Sequence, residues 1–156
     1  MHTTSAPRPH TNATSTGPTV VAVDGSPESR AALHWAAHHA RTTDTTLKIV
    51  TAYPQPAAEL EFPPVYVDLY GAAARQRALE VIESVLGHRN VDHVVAEGTI
   101  DTVLVEHAEG ASTIVIGTRA RRRFWHRFRP SLTNRITGRV DSTVISVPYD
   151  EPVRVG

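Results

Sequence analysis

Short runs of apolar, mostly β-branched residues alternate along the chain with longer segments of mixed polarity. The first run, Thr19 to Val23, is apolar at nearly every position. Such a run is typical of a strand that is covered on both faces. Four similar runs follow, at residues 47–52, 91–97, 112–116 and 142–147, and Pro148 is expected to stop the last one. The pattern therefore predicts five strands, most of them buried.

The segments between these runs have helical spacing and recognisable start signals. Ser26 is a good N-cap and Pro27 suits the first helical position, so a helix is predicted over 27–42. Apolar or small residues recur along it at intervals of three and four, which predicts one buried face. Further helices are predicted at 66–87, from Thr99 or Asp101 to Gly110, and after Ser131, with Leu132 and Ile136 on the inner face of the last.

Strands that alternate with helices predict an α/β fold with a parallel sheet covered on both sides. Because crossovers are right-handed, few topologies remain, and the Rossmann-like doubly wound order 3-2-1-4-5 is favoured. Ligands of such sheets bind beyond the carboxyl ends of the strands where the order reverses. That point lies between strands one and four, so Asp24 and Gly117 mark the predicted crevice.

The composition fits one domain with short tails. Residues 1–18 are rich in Thr, Ser and Pro and predict a disordered N-terminal tail, residues 19–148 form the predicted domain, and residues 149–156 are a predicted C-terminal tail. Apolar residues make up 40% of the chain and there is no cysteine. No membrane-spanning run and no secretory signal is recognised, so a cytoplasmic protein is expected.

Charge is unevenly distributed although the formal net charge is +0. Eight of the sixteen Lys and Arg residues are arginines between Arg119 and Arg139, and no acidic residue lies between Glu109 and Asp141. In the predicted loop 119–129, arginines are interleaved with Phe124, Trp125 and Phe128. Two interpretations remain open: the loop binds nucleic acid or another polyanion, or its aromatic residues anchor a solvated loop to the domain.

Motifs of common enzymes and metal sites are missing. There is no Gly-x-Ser-x-Gly elbow, no Walker lysine motif and no dinucleotide fingerprint after the first strand. His34 and His38 stand one helical turn apart, but no third ligand is identified, so these residues and His39 are predicted to lie on an exposed helix face. No catalytic residue and no metal site is predicted, and weak ATP hydrolysis is the one activity left open.

Three segments resemble the universal stress proteins of the UspA type. Residues 20–29 (Val-Val-Ala-Val-Asp-Gly-Ser-Pro-Glu-Ser) are similar to the opening of that family, residues 112–119 to its fourth strand and nucleotide loop, and residues 143–148 to its closing strand. The resemblance extends over about residues 19–148. It implies a non-enzymatic binding and signalling module of the stress response.

The resemblance also implies a crevice for ATP or another adenine nucleotide. The ATP-binding branch carries Gly-x2-Gly-x9-Gly-Ser/Thr after strand four, and residues at the ends of strands one and two hold the adenosine. The positions implied here are Asp24, Ala52, Gly117, Arg119, Ala120, Pro130 and Ser131. Ala120 and Pro130 replace two glycines, and proline has no N–H to donate to a phosphate. Weak or absent ATP binding is therefore predicted, while Ser131 still opens a helix and nearby arginines could replace lost donors.

The last strand is predicted to mediate assembly. It lies at a sheet edge, and an apolar edge with unpaired N–H and C=O groups is usually covered or paired. A homodimer centred on Val144, Ile145 and Val147 is expected, in line with the family resemblance. The alternative function is a nucleotide-independent interaction protein that binds a polyanion through loop 119–129.

Overall fold

A computed structural model describes residues 16–54, 65–119 and 131–150. Five parallel strands form one sheet in the order β3-β2-β1-β4-β5, which confirms the predicted fold class and strand order. The strands are β1 (Thr19–Ala22), β2 (Leu47–Tyr53), β3 (Asp92–Glu97), β4 (Thr113–Arg119) and β5 (Thr143–Tyr149). The helices are α1 (Pro27–Thr42), α2 (Val65–Leu86), α3 (Ile100–His107) and α4 (Leu132–Thr137).

The core has two halves, one on each face of the sheet. Neighbouring residues of a strand point to opposite faces, so Val21 packs with α1 and α2 whereas Val20 packs with α3 and α4. Leu33 of α1 and Ile136 of α4 are completely buried in these two halves. Burial on both faces explains why the central strands read as uninterrupted apolar runs.

Helix α1 begins as its sequence predicts. The Ser26 hydroxyl accepts a hydrogen bond from the Ser29 N–H at 3.2 Å, and Pro27 occupies the first turn. The small residues Ala32 and Ala36 are buried against the sheet. Alanines at these positions let the helix axis come close to the strands, which matters for the site described below.

Two strands run further than the sequence pattern predicted. β4 continues through Gly117 to Arg119, and β5 continues through Pro148 to Tyr149, so the prediction that Pro148 stops the strand was wrong. The two strands stay in register up to the pair Arg119 and Tyr149. β5 is an edge strand, where a residue without an N–H is tolerated.

The fold also begins slightly before the predicted boundary at Thr19. The Pro18 carbonyl accepts the Ser112 N–H at 3.0 Å, and a Cβ on Gly17 would stand 1.8 Å from the Gly110 carbonyl oxygen. Gly17 and Pro18, placed in the tail by composition, therefore pack against residues 110–112, directly before β4. Among the described residues, no helix combines the length and apolarity needed to cross a membrane.

Candidate functional site

The carboxyl ends of β1, β2 and β4 meet at one edge of the sheet. Ala22 is in register with Val50, and Val21 is in register with Val115. Continued past the end of β1, this register places Asp24 level with Ala52 on one side and close to Gly117 on the other. The three predicted site residues thus lie at the carboxyl ends of neighbouring strands, and Asp24 and Gly117 flank the point where the strand order reverses.

Asp24 occupies a tight turn between β1 and α1. Its carboxylate oxygen Oδ1 accepts the Ser26 N–H at 2.8 Å, and its own N–H donates to the Ser29 hydroxyl at 3.3 Å. Gly25 follows with a φ of +92°, a conformation that favours glycine. The Asp24 residue is exposed, and its carboxylate holds the turn through the bond from Ser26.

Arg77 of α2 lies against this turn. A Cβ on Gly25 would stand 2.9 Å from the Arg77 Cβ, so the helix and the turn are in close contact. The Arg77 residue is exposed. The sequence contains no signal for this neighbour, because Arg77 is one of several polar residues along α2 and belongs to no motif.

Gly117 has a packing role that the sequence did not indicate. A Cβ at this position would stand 2.1 Å from the Glu28 carbonyl oxygen and 3.1 Å from the Glu28 Cβ. The first turn of α1 therefore rests directly on the end of β4. The absence of a side chain at Gly117 permits this contact, whatever its role towards a ligand.

An ion pair lies across the same contact, between the Arg119 guanidinium and the Glu28 carboxylate. The Glu28 residue is 8% exposed, whereas the Arg119 side chain is 68% exposed. Burial acts to raise the pKa of Glu28, but hydrogen bonds from its own backbone N–H, from Arg119 and from Ser26 outweigh it and lower the pKa. Glu28 is therefore held as a carboxylate beside the crevice.

The end of β2 is fixed by a buried hydroxyl. Ala52 is half-buried and packs on the core, and the preceding Thr51 is 1% exposed. The Thr51 hydroxyl donates to the Val23 carbonyl at 2.7 Å and lies 2.8 Å from Nε2 of His93. Since the hydroxyl proton is used towards Val23, the geometry assigns Nε2–H of His93 as the donor to Thr51.

His93 of β3 is half-buried. Its pKa is lowered by burial and by the nearby charge of Arg75, against a smaller opposite effect of Asp92. The neutral imidazole thereby completes a chain of hydrogen bonds from β3 through Thr51 to the last carbonyl of the β1 segment. The sequence did not predict these hydrogen bonds, because Thr51 is one residue of an apolar run and His93 belongs to no motif.

Ser131 caps α4, as predicted. Its hydroxyl accepts the Asn134 N–H at 3.2 Å, and Thr133 in the same turn lies 2.7 Å, oxygen to oxygen, from the Ser146 hydroxyl of β5. Ala120, Pro130 and the arginines of loop 119–129 beyond Arg119 lie outside the described residues. Their predicted roles stay predictions.

The histidines of α1 differ from one another. His34 and His38 are exposed as predicted, but the prediction for His39 was wrong because its ring is partly buried. It stacks on Trp35 with ring centroids 4.8 Å apart, and its Nε2 lies 3.3 Å from the Thr113 hydroxyl. Across residues 16–54, 65–119 and 131–150, no group of three His, Cys, Asp or Glu residues could hold a metal ion.

The predicted dimer strand lies at the sheet edge. Val144 and Val147 of β5 pack against opposite halves of the core, and Ile145 is partly buried between them in sequence. Two of the three predicted interface residues thus already contribute to the core of their own chain. Pairing through this edge would rest mainly on backbone groups and Ile145.

The chain resembles known proteins over nearly its whole length. The model of the universal stress protein family matches residues 17–148. A universal stress protein solved in complex with cAMP is 25% identical, with a TM-score of 0.56, and the match covers 85% of this chain and 98% of that one.

Two further solved structures share the fold. UspA from Lactobacillus plantarum is 20% identical, with a TM-score of 0.59 and coverage of 85% and 97%. A universal stress family protein from Burkholderia pseudomallei is 23% identical, with a TM-score of 0.60 and coverage of 86% and 98%. No curated protein sequence matches significantly. With a family model matched from Gly17 to Pro148 and the strand order described above, the chain belongs to the universal stress protein family.

Proposed function

We propose that the protein is a non-enzymatic binding module of the stress response that takes up an adenine nucleotide at the switch point between β1 and β4. The convergence of Asp24, Ala52 and Gly117 at one sheet edge carries the proposal. The similar universal stress protein that was solved with cAMP supports the ligand class.

Asp24 is the residue expected to hold the nucleoside. A carboxylate offers about four lone-pair sites, and the Ser26 N–H uses one of them. The remaining sites suit the hydroxyl or amino hydrogens of an adenosine. Because the turn is braced by Ser26, Ser29 and Gly25, the carboxylate is held in place before the ligand arrives.

Ala52 is expected to form the floor on the β2 side. Its small side chain leaves space over the strand end, and it is half-buried against the core. A flat, largely apolar ring such as adenine suits such a floor. The Thr51 hydroxyl beneath it is already bonded to Val23 and His93, so the floor is rigid.

The two hydroxyls nearest the crevice favour binding over catalysis. Ser26 accepts the N–H of Ser29, and Ser29 donates to the Ser26 carbonyl at 2.9 Å and accepts the N–H of Asp24. Both side chains are engaged in shaping the turn. A nucleophile would need a neighbouring base instead, so we assign these serines a structural role.

The test is to measure binding of cAMP, AMP and ATP by calorimetry, together with mass spectrometry of small molecules that copurify with the native protein. Replacing Asp24 by Asn should weaken binding by about tenfold or more, since a hydrogen bond to a charged acceptor contributes roughly 1.5–3 kcal/mol. Asp44→Asn is the matched control, because Asp44 lies between α1 and β2, at the amino ends of the strands and therefore at the other end of the sheet from the crevice. Absence of binding by all three nucleotides would overturn the proposal, as would equal affinities of wild type and Asp24→Asn.

A second function, binding of a polyanion, is favoured by the cluster of arginines after β4. Counterions are released at each phosphate contact, so affinity for single-stranded nucleic acid should fall steeply with salt. Replacing Arg121, Arg122 and Arg123 by Ser should flatten that dependence. A salt-independent response of the unmodified protein would exclude this function.

A further inference from the structure

The first turn of α1 already uses two of its N–H groups in hydrogen bonds to Ser26, and a third position is a proline. A helix N-terminus next to a ligand crevice usually offers free N–H groups to a phosphate. Here Pro27 has no N–H, the Ser29 N–H goes to the Ser26 hydroxyl at 3.2 Å, and the Arg30 N–H goes to the Ser26 carbonyl at 3.0 Å. The N–H of Glu28 acts on the carboxylate of the same residue and helps to lower its pKa.

The negative charge at the N-terminus of α1 is therefore the carboxylate of Glu28, a residue of the helix itself. Its main chain rests on Gly117, where even a Cβ would collide with the Glu28 carbonyl, and its carboxylate is paired with Arg119. The position is fixed from both sides, by α1 and by the end of β4. Since Glu28 is 8% exposed, its charge is screened less by water and salt than the charge of an exposed glutamate.

A second carboxylate, Asp24, lies four residues earlier at the same edge of the sheet. An incoming phosphate would thus approach two carboxylates, one of them paired with Arg119, where other α/β folds present helix N–H groups. A phosphate that recruited Arg119 would leave the buried Glu28 carboxylate without its cation, which is costly. Both effects increase with the number of charges that the ligand carries.

We propose that Glu28 makes the crevice discriminate among adenine nucleotides by charge, so that a singly charged cyclic monophosphate binds better than a polyphosphate. This inference rests on the proposed function, because it concerns the ligand of the same crevice. Glu28 acts as a specificity-determining residue through its charge and through its hold on Arg119. The universal stress protein that was solved with cAMP has a ligand of this low charge.

The experiment compares the affinities for cAMP, AMP and ATP of wild type, Glu28→Gln and Glu109→Gln at low salt. Removing the charge of Glu28 should raise ATP affinity by about tenfold and cAMP affinity by about twofold, since Coulomb energy scales with ligand charge. Glu109 is exposed and follows α3 at the amino ends of the strands, so its variant makes the same charge change far from the crevice. The Glu109→Gln protein should keep the wild-type ratio of the two affinities.

The dependence of the ATP and cAMP affinities on salt concentration tests the same inference without a substitution. If Glu28 and the exposed Asp24 repel polyphosphates, raising the salt concentration should increase the affinity for ATP relative to cAMP in the wild-type protein, because the part of the repulsion that passes through solvent is screened. A decrease of that relative affinity, or a Glu28→Gln protein with an unchanged ratio, would overturn the charge discrimination while leaving the proposed function intact. If none of the nucleotides binds to any of the proteins, the proposed function itself fails.

Discussion

Gly117 and Glu28 lie in such close contact that a Cβ on the glycine would stand 2.1 Å from the glutamate carbonyl oxygen. The two residues are far apart in sequence, and their contact seats the first turn of α1 on the end of β4. The nearest atoms are the carbonyl group and the Cβ of Glu28, so there is no flexible side-chain end that could move aside.

Replacing Gly117 by Ala should therefore destabilise the protein. Helix α1 or strand β4 would have to shift, at a cost of about 3 kcal/mol. Gly138→Ala is the control, because a Cβ there meets nothing within 4 Å and its φ is −80°. Urea denaturation of the two variants measures the difference, and a Gly117→Ala protein as stable as the control would contradict the contact.

The sequence was sufficient to predict the order of the strands but not this contact. Alternating runs and short crossovers leave few topologies, and the predicted order 3-2-1-4-5 agrees with the structure. The close approach of Gly117 to Glu28 is a long-range relation that no local pattern encodes. In the sequence, Gly117 was notable as the residue that leaves strand four at the predicted crevice and as the first glycine of a degenerate nucleotide motif.

Other differences have similar physical reasons. The prediction that β5 stops at Pro148 used a local rule, whereas the edge position of β5 removes the need for that residue's N–H. His39 was assigned to the exposed face by helical spacing, but a stack on Trp35 and a contact with Thr113 draw it partly inward. In both cases the outcome depends on contacts with residues on other elements or on another helical turn, and a local sequence pattern does not contain these contacts.

Thr51 is predicted to be important for stability, because its hydroxyl joins β2 to β3 and to Val23, the residue that follows β1. Thr51→Val keeps the shape of the side chain but leaves the Val23 carbonyl and the His93 donor without their partner. The expected loss in the free energy of unfolding is about 1–3 kcal/mol. Thr51→Ser retains the hydroxyl and should lose clearly less; chemical denaturation that ranks the two variants equally would contradict the hydrogen-bond chain.

The stability of the protein should fall as the pH drops below the ordinary pKa of histidine, 6.5, because His93 has a lowered pKa in the folded state. Between its two pKa values the unfolded chain binds a proton that the folded chain does not, so folding is penalised there. The contribution of His93 to the free energy of unfolding is fully present above pH 6.5 and is lost as the pH falls through the pKa that His93 has in the folded state.

Urea unfolding at about pH 7.5 and about pH 5.5 measures this effect. His93→Gln is the informative variant, since its side-chain amide can still donate to Thr51 but does not titrate. It should lose less stability than wild type over the same interval. Equal losses would mean that other groups cause the pH dependence.

The edge strand β5 is predicted to pair with the same strand of a second chain. It is the edge strand next to β4, and its outer row of N–H and C=O groups is the kind of edge that proteins cover or pair. Pairing two identical edges by a two-fold axis satisfies both at once. Val144 and Val147 already pack on their own core, so Ile145 is the interface side chain most open to change.

Ile145→Lys should convert the dimer into a monomer, because the interface would have to desolvate two lysine charges. Leu69→Lys is the matched control: it makes the same apolar-to-lysine change at a residue that is 57% exposed on α2, a helix that packs on β2 and β3, remote from β5. Light scattering during size-exclusion chromatography gives the mass of each protein. A wild-type monomer, or a dimer that survives Ile145→Lys, would show that β5 is not the interface, whereas loss of the dimer in Ile145→Lys alone would locate it at this edge.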